Sequence, residues 1–156
     1  MTHEPRLRTA YRICRVAFRA LDGEGARRYG GRWTSPGTPV VYTAATPSLA
    51  ALELLVHLDP ADAPDDLVLM TIGIPDGVSS ESLDETRLAA HWARHPTPST
   101  CRELGDAWLA AGRTCVLSVP AAPMPEERNL LLNPSHGDFA RVKVVSERKF
   151  RFDPRL

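Results

Sequence analysis

Between Tyr29 and Leu58 the chain reads YGGRWTSPGTPVVYTAATPSLAALELLVHL, and the order of signals in this run restricts the fold more than any other feature. Gly30-Gly31 leads through Arg32 and Trp33 into a β-patterned run, PVVYTA, so the glycines precede a strand and not a helix. A doubly wound dinucleotide fold needs glycines that close a strand and open a helix, and no G-x-G-x-x-G or P-loop follows any strand-like run here. Thr46 then reads as a helix cap with Pro47 at the first helical position, and the predicted helix runs to about Leu58.

The same reading extends outward. RTAYRICR (Arg8–Arg15) alternates as a first strand, LDGEGARRYGGRW is a glycine-rich loop, and LVLMTIGI (Leu67–Ile74) is a buried strand. SLDETRLAAHWARH is predicted as a helix with acids in its first turn and Arg and His in its last. Thr100 and Glu103 form a capping-box pattern ahead of a helix that stops at Gly112. TCVLSVP (Thr114–Pro120) is a strand, AAPMPEERNLLLNPSHGDF an ordered loop, and ARVKVVSERKFRF a final strand or hairpin. With no repeat, low-complexity tract or linker, the expectation is one mixed α/β (α+β) domain over residues 1–156, large enough for its own core.

The formal net charge of zero gives no general attraction to nucleic acid or to an anionic membrane, so neither is an expected direct partner. The zero conceals an asymmetry. Residues 1–32 hold eight Arg against Glu4, Asp22 and Glu24, a local charge of +5, whereas residues 59–106 sum to −7. Cys14, Cys101 and Cys115 are odd in number and fit no metal or redox spacing, which points to a reduced, cytoplasmic chain. MTHEPRLRTAYRICRVAF lacks the apolar core of an export signal, and no run approaches 18 apolar residues.

A few residues suit chemistry. Arg32, behind its glycine pair, presents a planar donor fork to phosphate oxygens, or is a turn arginine beside a core Trp33. Arg12 points either to water or into a cleft. Tyr42 offers a negative ring face to a flat heteroaromatic cation, or packs as an ordinary strand tyrosine. Glu53 is the sharpest. It is the one acid between Pro47 and Leu58, and its helical stripe holds Ala50, Leu54 and His57. It is either half of a solvent-side Glu–His pair or a cleft carboxylate that steadies positive charge at an anomeric carbon. Ser118, at the end of an apolar strand, either orients a ligand or satisfies a turn, and no G-x-S-x-G surrounds it. Asn129, Asn133 and His136 read as turn formers in a proline-marked loop. The histidines form no H-E-x-x-H or Cys/His cluster, so no metal is expected.

Taken in order, an Arg-bearing strand, GGRW, VVY, ALELLVHL and LSVP…PEERNLLLNPSH resemble the RES domain family across nearly the whole chain. The likeness is strongest over Glu24–Leu58 and Ser118–Val144, faint over Asp59–Leu109, and departs at Gly137, where proline is the expected residue. The arginine, glutamate and serine that name the family map to Arg32, Glu53 and Ser118.

The resemblance implies a fold similar to ADP-ribosyltransferases and a toxin that consumes NAD+ by cleaving its nicotinamide–ribose bond, as a glycohydrolase or phosphorylase. The alternative it implies is transfer of ADP-ribose to a protein. Under it, Arg32 and Arg12 grip phosphate, Tyr42 stacks the nicotinamide, and Glu53 binds ribose hydroxyls and steadies the oxocarbenium-like transition state. Ser118 holds the ring amide or a phosphate, Trp33 walls the pocket, and Asn133 belongs to the same binding set. It further implies an Xre-type antitoxin partner that covers the cleft and supplies any DNA binding. A non-catalytic nucleotide- or RNA-binding module and an RNase toxin are the rival classes.

Overall fold

The computed structural model describes residues 7–156. Residues 1–6, with Glu4 of the N-terminal charge count and the start of the segment read for an export signal, lie outside them. Ten regular elements follow in the order β1 (Leu7–Arg15), α1 (Glu24–Tyr29), β2 (Val41–Ala44), α2 (Pro47–Leu55), β3 (Leu67–Pro75), β4 (Ser80–Ser82), α3 (Ser99–Ala111), β5 (Val116–Ala121), β6 (Met124–Leu132) and β7 (Lys143–Lys149). Short 3₁₀ turns connect them.

The strands form a sheet in the order β4-β5-β6-β2-β1-β3-β7. Every neighbouring pair is antiparallel except β4 with β5. Pairing is extensive within β1-β3-β7 and within β5-β6-β2, but β1 and β2 meet at one residue pair, Tyr11 with Ala44. The sheet is therefore two sheets joined by a single bridge, and it leaves room for a cleft where β1 and β2 diverge. Ala10, Met70, Ile72, Val116, Leu130 and Leu132 pack one core cluster, and Trp33, Cys101, Trp108, Leu117, Val119 and Leu131 pack a second on α3. A third, small cluster places Leu49 and Ala50 of α2 against Ala44, with Tyr11 and Ile13 of β1 beside it. At the sheet edge all residues of β7 are exposed, and Lys143, Arg148 and Lys149 discourage pairing with another chain.

The mixed fold and the exclusion of a doubly wound sheet hold. Thr46 accepts a hydrogen bond from the Leu49 amide at 3.1 Å with Pro47 behind it, although the helix ends at Leu55, before Leu58. Gly112 ends α3 with φ +61°, where an L side chain is strained.

Four local expectations need correction. The stretch read as glycine-rich loop contains α1, held by Glu24 against Arg27 and Arg28 one turn on and closed by Gly30. α3 starts at Ser99 behind Pro98 with no side-chain cap, so the Thr100–Glu103 box does not form. The segment Ser82–His95 is no helix beyond a 3₁₀ turn at Glu85–Arg87. Asp84 there accepts from the Thr86 amide and hydroxyl, and Leu83, Leu88 and Trp92 reach the core at spacings of five and four residues, not as a helical stripe. Finally, Met124–Leu132 is a strand and not a loop. Its charged first half lacks apolar alternation, and long-range pairing with both β5 and β2 overrides that local weakness.

α3 lies so close to the Trp33 backbone that a methyl on Gly105 would overlap the Trp33 carbonyl, whereas Gly25 in α1 has open space. Gly105→Ala is expected to cost about 2–3 kcal/mol in chemical denaturation. Gly25→Ala should leave stability unchanged or raise it by up to ~1 kcal/mol.

Candidate active site

A cavity of about 780 Å³ opens at the β1–β2 divergence, lined by residues from β1, β2, α2, β6, the Gly30–Trp33 loop and the Ala93–Thr97 loop. Its size falls within the roughly 300–1,000 Å³ common for ligand sites. Of the residues singled out in the sequence, Arg12, Arg32, Trp33, Tyr42 and Glu53 all line it.

Each is positioned by its element. α2 turns Ala50, Glu53 and Leu54 toward the cavity, and His57, exposed in the turn just past the helix, borders it too, so the stripe read on the helical wheel forms a cleft wall. Glu53 is partly buried, and burial pushes its carboxyl above the ordinary range; the nearby Asn129 amide and the charges of His57 and Arg32 pull the other way. Arg32 donates through Nη1 to the Trp92 carbonyl at 2.8 Å and the Arg94 carbonyl at 3.1 Å, which fixes its guanidinium on the wall. Its loop is held in turn by Arg102, which donates to the Gly31 carbonyl at 3.1 Å.

Tyr42 shares a 2.7 Å hydrogen bond with the Thr34 hydroxyl, and burial raises its phenol pKa, so the ring stays neutral. A Cβ on Gly31 would stand 2.6 Å from the Tyr42 hydroxyl; the missing side chain is what lets this ring end lie beneath the loop. Arg12 reaches the cavity beside the strand split and donates to the Ala20 carbonyl at 3.3 Å. Trp33 borders the cavity but is 2% exposed and tilted against Trp92 with ring centroids 5.7 Å apart; it is mainly core.

Two predicted residues are elsewhere. Ser118 pairs across the sheet with Leu130, whereas Tyr42 pairs with Leu131, so strand alternation sends Ser118 to the opposite face. Its hydroxyl accepts from Arg128 Nε at 2.9 Å, its carbonyl accepts from Arg128 Nη2 at 2.9 Å, and Arg128 continues to Glu85 at 2.7 Å. Asn133 follows the far end of β6 and accepts from the Ser135 amide at 3.0 Å, which makes it a turn residue remote from the cavity wall.

In their place the fold brings Asn129, Tyr11, His57 and His95 to the cavity. His57 was visible as the i+4 neighbour of Glu53, but Asn129 was hidden because its strand was read as loop. The resulting site sets a carboxylate, fixed guanidinium groups and a neutral aromatic ring around one hollow. It suits an anionic ligand that also bears a flat or cationic ring and sugar hydroxyls. Among the described residues no three His, Cys, Asp or Glu side chains converge as metal ligands, and no helix is long and apolar enough to cross a membrane.

The family model described as RES domain matches residues 9–153. A Prs ADP-ribosylating toxin of Sphingobium sp. (strain YBL2) is 38% identical over 138 residues, spanning 87% of this chain and 86% of its own. A Toxin Res of Photorhabdus laumondii is 39% identical over 150 residues, spanning 94% and 95%. The crystal structure of the M. tuberculosis MbcT–MbcA toxin–antitoxin complex contains a chain of the same fold, with a TM-score of 0.75 at 23% identity over 94% of this chain and 86% of that one.

The raised Glu53 pKa has a stability consequence. In the window above the ordinary value of 4.5 the folded state binds the extra proton, so stability falls as pH rises through the folded-state pKa. Glu53→Gln is therefore expected to melt about 1–3 °C higher than the parent at pH 7. The difference should vanish below pH 4, as read by thermal denaturation across a pH series.

Proposed function

The chain belongs to the RES domain family, and on that premise we propose that it is the toxin of a toxin–antitoxin pair and cleaves the nicotinamide–ribose bond of NAD+. The observation that supports this most is the convergence of Arg12, Arg32, Tyr42 and Glu53 on one cavity, from sequence positions far apart. We read residues 1–156 as one RES domain.

NAD+ carries a pyrophosphate, two ribose diols and a cationic nicotinamide ring. In this reading Arg32 and Arg12 neutralise the pyrophosphate, Tyr42 stacks the nicotinamide, and Glu53 accepts from hydroxyls of the adjoining ribose. Nicotinamide leaves with the electron pair of the C–N bond as a neutral molecule, so no strong general acid is required. The sugar becomes oxocarbenium-like, and the Glu53 carboxylate stabilises that developing charge across the low-dielectric cleft. Attack by water yields ADP-ribose and a proton; attack by inorganic phosphate yields ADP-ribose-1″-phosphate. A protein side chain as acceptor yields an ADP-ribosylated protein, and this second reading is favoured by the Sphingobium relative, which is named an ADP-ribosylating toxin.

A NAD+ consumer harms the cell that makes it, so a protein partner that covers the cleft follows. The fold neighbour was crystallised as a toxin–antitoxin complex. We propose an antitoxin of the Xre type that docks over the cavity mouth, drawn by the arginines of the basic N-terminal third, of which Arg12 and Arg32 line the cavity.

The test is nicotinamide release from NAD+ by the purified chain, with and without phosphate, followed by mass spectrometry of nucleotide products and of proteins in a lysate. Arg32→Ala and Glu53→Ala are each expected to lower release by about 10²-fold or more. Wild-type rates in both variants would remove these residues from the chemistry, and intact NAD+ with cleaved RNA would favour the nuclease class. Because the carboxylate must be ionised, activity is expected to fall with decreasing pH at a midpoint above the usual carboxylate range.

A further inference from the structure

Arg32 follows two glycines, and Gly30 stands at φ +68°, a conformation that an L side chain rarely adopts. Such permissive backbone cannot by itself fix the direction of the guanidinium that comes next, so the order must be imposed from outside. The loop first closes on itself: the Gly31 amide donates to the Thr34 carbonyl at 2.9 Å, which makes Gly31–Thr34 a compact unit with Arg32 inside it.

α3 grips that unit at both ends. Arg102 Nε donates at 3.1 Å to the carbonyl of Gly31, the peptide group that joins Gly31 to Arg32. One turn further along the helix, Asp106 accepts from the Ser35 amide through Oδ1 at 2.9 Å and from the Ser35 hydroxyl through Oδ2 at 2.6 Å. Between the two, the bare Cα of Gly105 lets α3 lie against the Trp33 carbonyl. Aspartate is a poor residue for a helix interior, and both oxygens of this one are spent on the loop, in partly buried, charge-assisted bonds. Arg102 is exposed and makes the weaker grip. Arg32 lines the cavity but Arg102 and Asp106 do not, so any influence of Asp106 on the site passes through the loop.

We propose that Asp106 is a positioning residue for Arg32: from α3 it pins the Ser35 end of the glycine loop, with Arg102 on the Gly31 end. The Arg32 backbone is thereby held where Nη1 meets the Trp92 and Arg94 carbonyls, and the rest of the guanidinium is left to an anionic ligand. This is preorganisation supplied by a helix that does not itself reach the ligand. The inference rests on the reading of Arg32 as the phosphate-binding group, but its physical content can be tested without any reaction.

The experiment compares the full-length parent with three variants. Asp106→Leu removes both acceptors, Asp106→Asn can still accept from the Ser35 amide and donate to its hydroxyl, and Ser35→Ala is the milder loss of the hydroxyl bond alone. Thr114→Val is the control: it removes the 2.9 Å bond from Trp108 Nε1 near the C-terminal end of α3 and so loosens the helix without touching the loop. Nitrogen NMR relaxation of the Arg32 side-chain Nε reads the order of the guanidinium directly. Order is expected to fall in Asp106→Leu and, to a smaller extent, in Ser35→Ala, and to stay near the parent's in Asp106→Asn and Thr114→Val. In the NAD+ release assay Asp106→Leu should lower kcat/KM by about tenfold in the parent but by no more than about twofold in an Arg32→Ala background, because the loss acts through Arg32. Unmoved Arg32 order in Ser35→Ala and in folded Asp106→Leu overturns the proposal, as does an equal fall in Thr114→Val or a full loss of rate in the Arg32→Ala background. Reduced order in a protein whose parent leaves NAD+ intact upholds the clamp and rejects the NAD+ reading instead.

Discussion

The site exists because β1 and β2 touch at one residue pair. Had the two strands paired along their length, backbone hydrogen bonds would fill the space that the cavity occupies, and Arg12 would be an interior residue of a continuous sheet. Instead the Tyr11–Ala44 bridge joins two well-paired sheets and lets them splay. α2 spans the bridge, packing Leu49 and Ala50 on Ala44 with Tyr11 and Ile13 alongside, and this apolar contact aims Glu53 inward. Loss of that packing would release the acid to solvent, whatever the arginines did.

Electrostatics then decide the state of the site. Burial raises the cost of a charged Glu53, and the partial answers come from Asn129, His57 and Arg32. The guanidinium of Arg32 is held by backbone carbonyls of the Trp92–Arg94 segment, so it faces the cavity without collapsing onto Glu53 in a closed ion pair. Keeping opposite charges near but separately anchored leaves both free to meet a ligand, and it is the kind of preorganisation that catalysis by charge stabilisation requires. The glycine loop belongs to the same device, since Gly31 admits the Tyr42 hydroxyl end and accepts Arg102.

Several features of this arrangement could be read in the amino-acid order. Thr46-Pro47 marks the start of α2 through local capping chemistry, and Glu53 stands out because a helix of leucines has no other reason to hold an acid. The face shared with Ala50, Leu54 and His57 follows from helical geometry, and the order of the Arg, Gly-Gly-Arg-Trp and Tyr segments was enough to resemble the RES family. α1, β6 and the non-helical Ser82–His95 segment were not legible, because charge pairs, distant strand pairing and an Asp84 side-chain bond outweigh apolar periodicity there.

What the sequence alone determined is therefore the set of local commitments: capped α2, the glycine loop, the lone acid, the mixed class and the family. Tertiary structure decided which of those residues share a cavity. Ser118 and Asn129 show the difference most plainly. Both lie on adjacent, paired strands, yet register places one against Arg128 behind the sheet and the other on the wall of the cavity that Glu53 also lines. Strand register is fixed by pairing between segments far apart in the chain, and a slip of one residue reverses every side chain, so no local pattern around either residue could have assigned its face.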